Sequence, residues 1–163
     1  MAHEIAGVRK HVLASANFLL GVSNFMVLAL PESYTVGQTI NPAEVDATHP
    51  ARGIAWVLEG RCSHYLRDSS GPSLELLVKA GRGSHAPRWA QGDDLTNTVV
   101  AEHEGQVRLD KLTVGFPRRR VLDRMRAWWP CDRTKRTIQV EILGPEGLDV
   151  AALSGALPHT ECH

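Results

Sequence analysis

PRRRVLDRMRAWWPCDRTKRT, residues 117–137, has two readings, and the choice between them decides the fold. As a helix, Val121, Leu122, Met125, Trp128 and Trp129 form one apolar stripe between Pro117 and Pro130. As a strand, Val121, Met125, Ala127, Trp129 and Cys131 alternate with Leu122, Arg124, Arg126 and Trp128. The residues that follow, Thr-Ile-Gln-Val-Glu-Ile from Thr137, have the two-residue period of a strand. Residues 132–135 then fit a four-residue turn, so the hairpin is the preferred reading.

The same stretch dominates the charge pattern. It holds eight of the 18 basic residues and only two acids, Asp123 and Asp132, for a net +6, while the whole chain sums to zero. A generally basic coat protein is thereby excluded, and any attraction for polyanions has to be local. Guanidinium groups beside flat aromatic rings suit the phosphates and bases of a single-stranded nucleic acid, RNA included. Arg118, Arg119, Arg120, Arg124, Arg126, Trp128, Arg133, Lys135 and Arg136 are the candidate contacts. A core role for the tryptophans, with solvated or ion-paired arginines around them, is the competing reading.

Outward from this segment, 163 residues with 43% hydrophobic content fit one domain over 1–163. The expected class is α+β, a mostly antiparallel sheet of five or six strands covered by one or two helices. A helix is expected over 50–67, where Ile54, Val57, Leu58, Cys62, Tyr65 and Leu66 share one face, although Arg61 falls on that face too. A short helix is expected over 148–157, with 158–163 as a tail. Strands are expected at 25–30, ended by Pro31, at 34–40 and at 73–80. A hairpin is expected around Gly105, joining 95–104 to 106–115. Residues 8–20 alternate and also recur at helical spacing, and 21–24 read as a turn.

From His11 to Leu30 the chain has no Asp, Glu, Lys or Arg for 20 residues. That length suits an export signal or membrane anchor through 7–30. Asn17, Gly21 and Asn24 instead make a small polar stripe, and Ala14-Ser15-Ala16 comes too early for a cleavage site. The 1–30 segment is therefore expected in the core of a cytoplasmic protein.

Other chemistry is thinly marked. The loop at 81–94, GRGSHAPRWAQGDD, has the backbone freedom of an anion nest but neither Walker nor dinucleotide spacing. No cofactor-binding motif is present. Cys62, His64, His103, Cys131, Cys162 and His163 are metal-ligand types without a CxxC pair, so no metal is expected. A bridge between Cys131 and Cys162 is possible if the tail packs back on the sheet. The expected function is a non-enzymatic binding protein for a nucleic acid or another phosphate-rich ligand. The alternatives are a homo-oligomeric or partner-binding protein and a small enzyme using the loop at 81–94.

Overall fold

The structure is a computed structural model that describes residues 7–17, 21–37, 55–56, 59–69, 71 and 73–163. Residues 117–137 form the hairpin. Strand β9 (Arg120–Cys131) pairs antiparallel with β10 (Arg136–Pro145), with Trp129 opposite Ile138, Ala127 opposite Val140 and Met125 opposite Ile142. All six of these side chains are buried, while Arg124, Arg126, Trp128 and Pro130 point to the other face and are half-buried. Two adjacent tryptophans on a strand must face opposite ways, so only Trp129 enters the core.

Eight further strands accompany this pair: β1 (Val8–Asn17), β2 (Gly21–Pro31), β3 (Tyr34–Gly37), β4 (Ala55–Trp56), β5 (Gly60–Asp68), β6 (Ser73–Arg82), β7 (Thr96–Val100) and β8 (His103–Val114). They form a three-stranded sheet, ordered β1-β2-β4, and a seven-stranded antiparallel sheet, ordered β3-β5-β6-β10-β9-β8-β7. Leu13, Met26, Leu28 and Leu30 of the small sheet share one buried cluster with Leu66, Leu76, Val78, Trp129, Ile138 and Ile142 of the large one. Helix α1 (Val150–Ala156) and a 3-10 turn (Leu157–His159) add Leu153 and Leu157 to that cluster. The Asp149 carboxylate caps α1 by accepting from the Ala152 N–H. Among the described residues no helix is long and apolar enough to cross a membrane.

The expectation of a mostly antiparallel sheet accompanied by at least one helix holds, but five or six strands is too few. Ten strands in two sheets stand among the described residues, with α1 as the one α-helix. The helix expected over 50–67 is also corrected, because its described C-terminal part is β5. Cys62, His64 and Leu66 turn inward and Arg61, Ser63, Tyr65 and Arg67 turn outward, so the strand period removes the misplaced Arg61. Residues 50–54 and 57–58 of that expectation, like 18–20 and 38–40, lie outside the described residues. Residues 21–24 are the start of β2, paired to β1, and not a turn.

Gly105 does not turn the β7–β8 hairpin. The turn is Ala101-Glu102, whose φ angles of 52° and 67° give the doubly left-handed backbone of a two-residue hairpin loop. Such loops favour Asn-Gly, so Ala-Glu offers no signal for one in the sequence. Gly105 instead lies within β8, where a Cβ would stand 2.8 Å from the Trp128 carbonyl oxygen and 3.1 Å from the Trp129 Cβ. Backbone cannot yield cheaply, so Gly105→Ala is expected to lower stability by about 1–3 kcal/mol through overpacking. Thermal melting of the variant checks this, and an unchanged melting temperature counts against the register of β8 on β9.

Candidate functional site

The outer face of the large sheet accounts for three of the expected contact residues, Arg124, Arg126 and Trp128. In register, Asp110 stands opposite Arg124 and Arg108 opposite Arg126 on β8 and β9. Asp110 accepts from Arg124 through both oxygens, Nε to Oδ1 at 2.8 Å and Nη2 to Oδ2 at 2.7 Å, and from Arg126 Nη2 at 2.9 Å. This forked geometry is the strong form of the carboxylate–guanidinium pair. The Arg124 hydrogen bond, followed by the charges of both arginines, holds the Asp110 carboxyl below its ordinary range against the opposing cost of burial.

The loop between β6 and β7 crosses this face and is clamped to it. The Thr137 hydroxyl donates to the Gly83 carbonyl at 2.6 Å and accepts from the His85 N–H at 3.2 Å. Trp89 Nε1 donates to Gln139 at 3.2 Å, and Arg108 donates to the Trp89 and Gln91 carbonyls, both at 2.7 Å. The Arg126 guanidinium lies 4.9 Å from the Trp89 ring centroid. The glycine-rich loop is thus a strap over the sheet, fastened by Thr137, Gln139 and Arg108 and by Arg126, one of the expected phosphate contacts.

Of the expected contacts, Arg124 and Arg126 are committed to Asp110 and Trp89. Arg136 is buried, stacks 4.7 Å from the Trp56 ring centroid and donates to the Cys162 carbonyl at 3.1 Å. Burial brings its pKa down to about 10, so it stays charged at neutral pH. Trp128 is half-buried, donates to Gln106 at 3.0 Å, and lines a groove of about 580 Å³ with Asn97, Val99, Glu104, Gln106 and Pro130. Arg133 and Lys135 are exposed in the β9–β10 turn. Arg118 and Arg119 in the β8–β9 connection, and Arg120 at the start of β9, are exposed at the opposite end of the strand.

That connection also presents Phe116, 94% exposed, one residue outside the segment singled out in the sequence. Gly115 makes the tip tight. Its φ of +97° is left-handed, and a Cβ there would collide with the Arg118 carbonyl. The structure therefore gathers three cations and one bare aromatic ring on a single tip. The sequence signal was Gly-Phe-Pro directly before three arginines.

A second constellation joins residues that the sequence leaves far apart. His103, Cys131, Cys162 and His163 place one ligand atom each within 4.8 Å of one another. Cys131 and Cys162 stand in this cluster as free thiols, with no bridge between them. Cys62 lies apart on β5, where burial pushes its thiol up to about 12 and keeps it neutral.

Asp110 provides the prediction from this site. A carboxylate with a lowered folded-state pKa contributes stability above the ordinary Asp range and loses it as pH falls through the folded value. Asp110→Asn is expected to cost about 1.5–3 kcal/mol at neutral pH, the range for hydrogen bonds to charged partners. The gap from wild type should narrow as pH drops below about 3.9. Urea melts at neutral and acid pH check both parts.

No protein-family model, curated protein or solved structure matches this chain, so the site has to be read from its own geometry.

Proposed function

We propose that this protein is a non-enzymatic binding protein that engages single-stranded nucleic acid through the β8–β9 tip. One observation carries the reading: Phe116 is 94% exposed and is followed, after Pro117, by three consecutive exposed arginines. A large apolar ring left in water beside concentrated positive charge suits a ligand that has both flat faces and phosphates. Phe116 offers the stacking face, and Arg118, Arg119 and Arg120 offer bidentate phosphate contacts. Arg133 and Lys135, at the far end of the hairpin, extend the attractive field without sharing the tip.

The tip takes over the role first assigned to the whole 117–137 segment. Arg124, Arg126 and Arg136 hold the fold together, so their removal would act through stability. The clamped strap weakens the reading of a small enzyme built on the loop at 81–94, because Arg108 and Thr137 already engage the backbone carbonyls of Gly83, Trp89 and Gln91.

Fluorescence anisotropy with labelled single-stranded RNA and DNA at two salt concentrations tests the proposal. Three phosphate contacts give a slope of about −2 in log K against log salt. Replacing Arg118, Arg119 and Arg120 together by Ala should abolish most of that slope while leaving the melting temperature unchanged. Phe116→Ala should cost about 1–3 kcal/mol of binding with the slope preserved. Wild-type protein that shows no salt-sensitive binding to either strand sinks the reading.

A further inference from the structure

We propose that His103, Cys131, Cys162 and His163 form a closed, four-coordinate site for one zinc-class divalent ion, and that this ion fastens the two sheets together. The first argument is distance. An ion with bonds of about 2.3 Å to sulfur and about 2.0–2.1 Å to nitrogen sets tetrahedral edges of about 3.3 Å between nitrogens and about 3.6 Å between nitrogen and sulfur. His103 Nε2 and His163 Nδ1 are 3.4 Å apart, and His163 Nδ1 is 3.5 Å from Cys162 Sγ and 3.8 Å from Cys131 Sγ. All of the donor atoms lie within 4.8 Å of one another. The four donors therefore already sit near the corners of the polyhedron that the ion would impose.

Ligand chemistry points the same way. Two sulfurs and two imidazoles select a borderline-soft cation and disfavour magnesium or calcium, which want oxygen. The two imidazole rings meet edge to face at 64°, with centroids 5.3 Å apart, so that one nitrogen of each turns toward the shared point. His103 presents Nε2 to the cluster and Nδ1 to the Asp132 carboxylate at 3.5 Å. A carboxylate behind a ligating histidine fixes its tautomer and orientation. Both sulfurs are almost fully buried, so the site is shielded from water. Four protein donors leave no open position for a substrate, which makes the site structural and not catalytic.

Position shows what such an ion would hold. His103 opens β8 and Cys131 closes β9, both in the large sheet. Cys162 and His163 follow directly on Glu161, whose backbone pairs with Val27 of β2 in the small sheet, N–H to carbonyl in both directions at 2.8 and 2.9 Å. The Ala29 N–H donates to the Thr160 hydroxyl beside it at 3.2 Å. The segment 160–163 is thus held to one sheet by its backbone, and the ion would tie it to the other.

Cobalt(II) titration of the reduced, full-length chain tests the assignment. The expected result is one equivalent bound, with the intense visible bands of tetrahedral cobalt and a near-ultraviolet sulfur-to-cobalt charge-transfer band sized for two thiolates. Zinc should displace the cobalt. Cys62→Ser should leave the spectrum unchanged, and Cys131→Ser with Cys162→Ser should abolish the charge-transfer band. Asp132→Ala, a substitution at an exposed position, should keep the spectrum and weaken affinity by about 10–100-fold. If the double cysteine variant fails to fold, the wild-type and Cys62→Ser spectra still decide. Absence of the charge-transfer band in reduced wild-type protein would overturn the proposal. So would its loss in Cys62→Ser, or a Cys131–Cys162 disulfide whose reduction restores no cobalt binding.

Discussion

The inward seating of Trp129 is the constraint on which the rest of the structure depends. With its indole fully buried and its backbone opposite Ile138, every other residue of β9 has its side assigned. Met125, Ala127 and Cys131 must also face in, and Arg124, Arg126, Trp128 and Pro130 must face out. A slip of one residue would put Arg124 and Arg126 into the core and the Trp129 indole on the outer face. The neighbouring strands then inherit their registers. Gly105 is admitted beside Trp128 and Trp129 because it has no side chain. Asp110 arrives opposite Arg124, and Cys131 is delivered at the rim where His103 and His163 meet it.

Charge is used in two ways along one strand. The middle arginines of β9 and their neighbour Arg108 knit strands and strap together through Asp110, Trp89 and backbone carbonyls. The arginines before β9 stay in solvent. A count of +6 cannot separate these uses, because the separation is made by cross-strand register. Asp110 is ten residues from the nearest edge of its chain segment's next strand, and only pairing puts its carboxylate between two guanidinium groups.

What the sequence made legible follows from how local each signal is. The β9–β10 hairpin and α1 are encoded by neighbours a few positions apart, the hairpin in the alternation of Met125 to Cys131 and α1 in the short segment that follows Gly144-Pro145. Strand β5 was hidden because Cys62, Tyr65 and Leu66 mimic a helical face, although Tyr65 in fact points to solvent at 61% exposure. The β7–β8 turn was hidden because Ala101 and Glu102 adopt left-handed backbone without glycine. The converging cysteines and histidines were hidden because their spacing is set by two strand ends and a tail. His103 and His163 are 60 positions apart and Cys131 and Cys162 are 31 apart, so no short pattern marks them.

The contacts of Thr160 and Glu161 have a kinetic consequence. Thr160 meets Ala29 across 131 positions of chain, and Glu161 meets Lys10 across 151. Contacts this remote in sequence form late, since the loop they close must lose its freedom before they return any stabilisation. The side of β2 that meets Glu161 at Val27 therefore lacks that pairing until the tail docks. An unpaired edge is a template for another chain, so the interval before docking is the time when this fold is most exposed to association with its own copies.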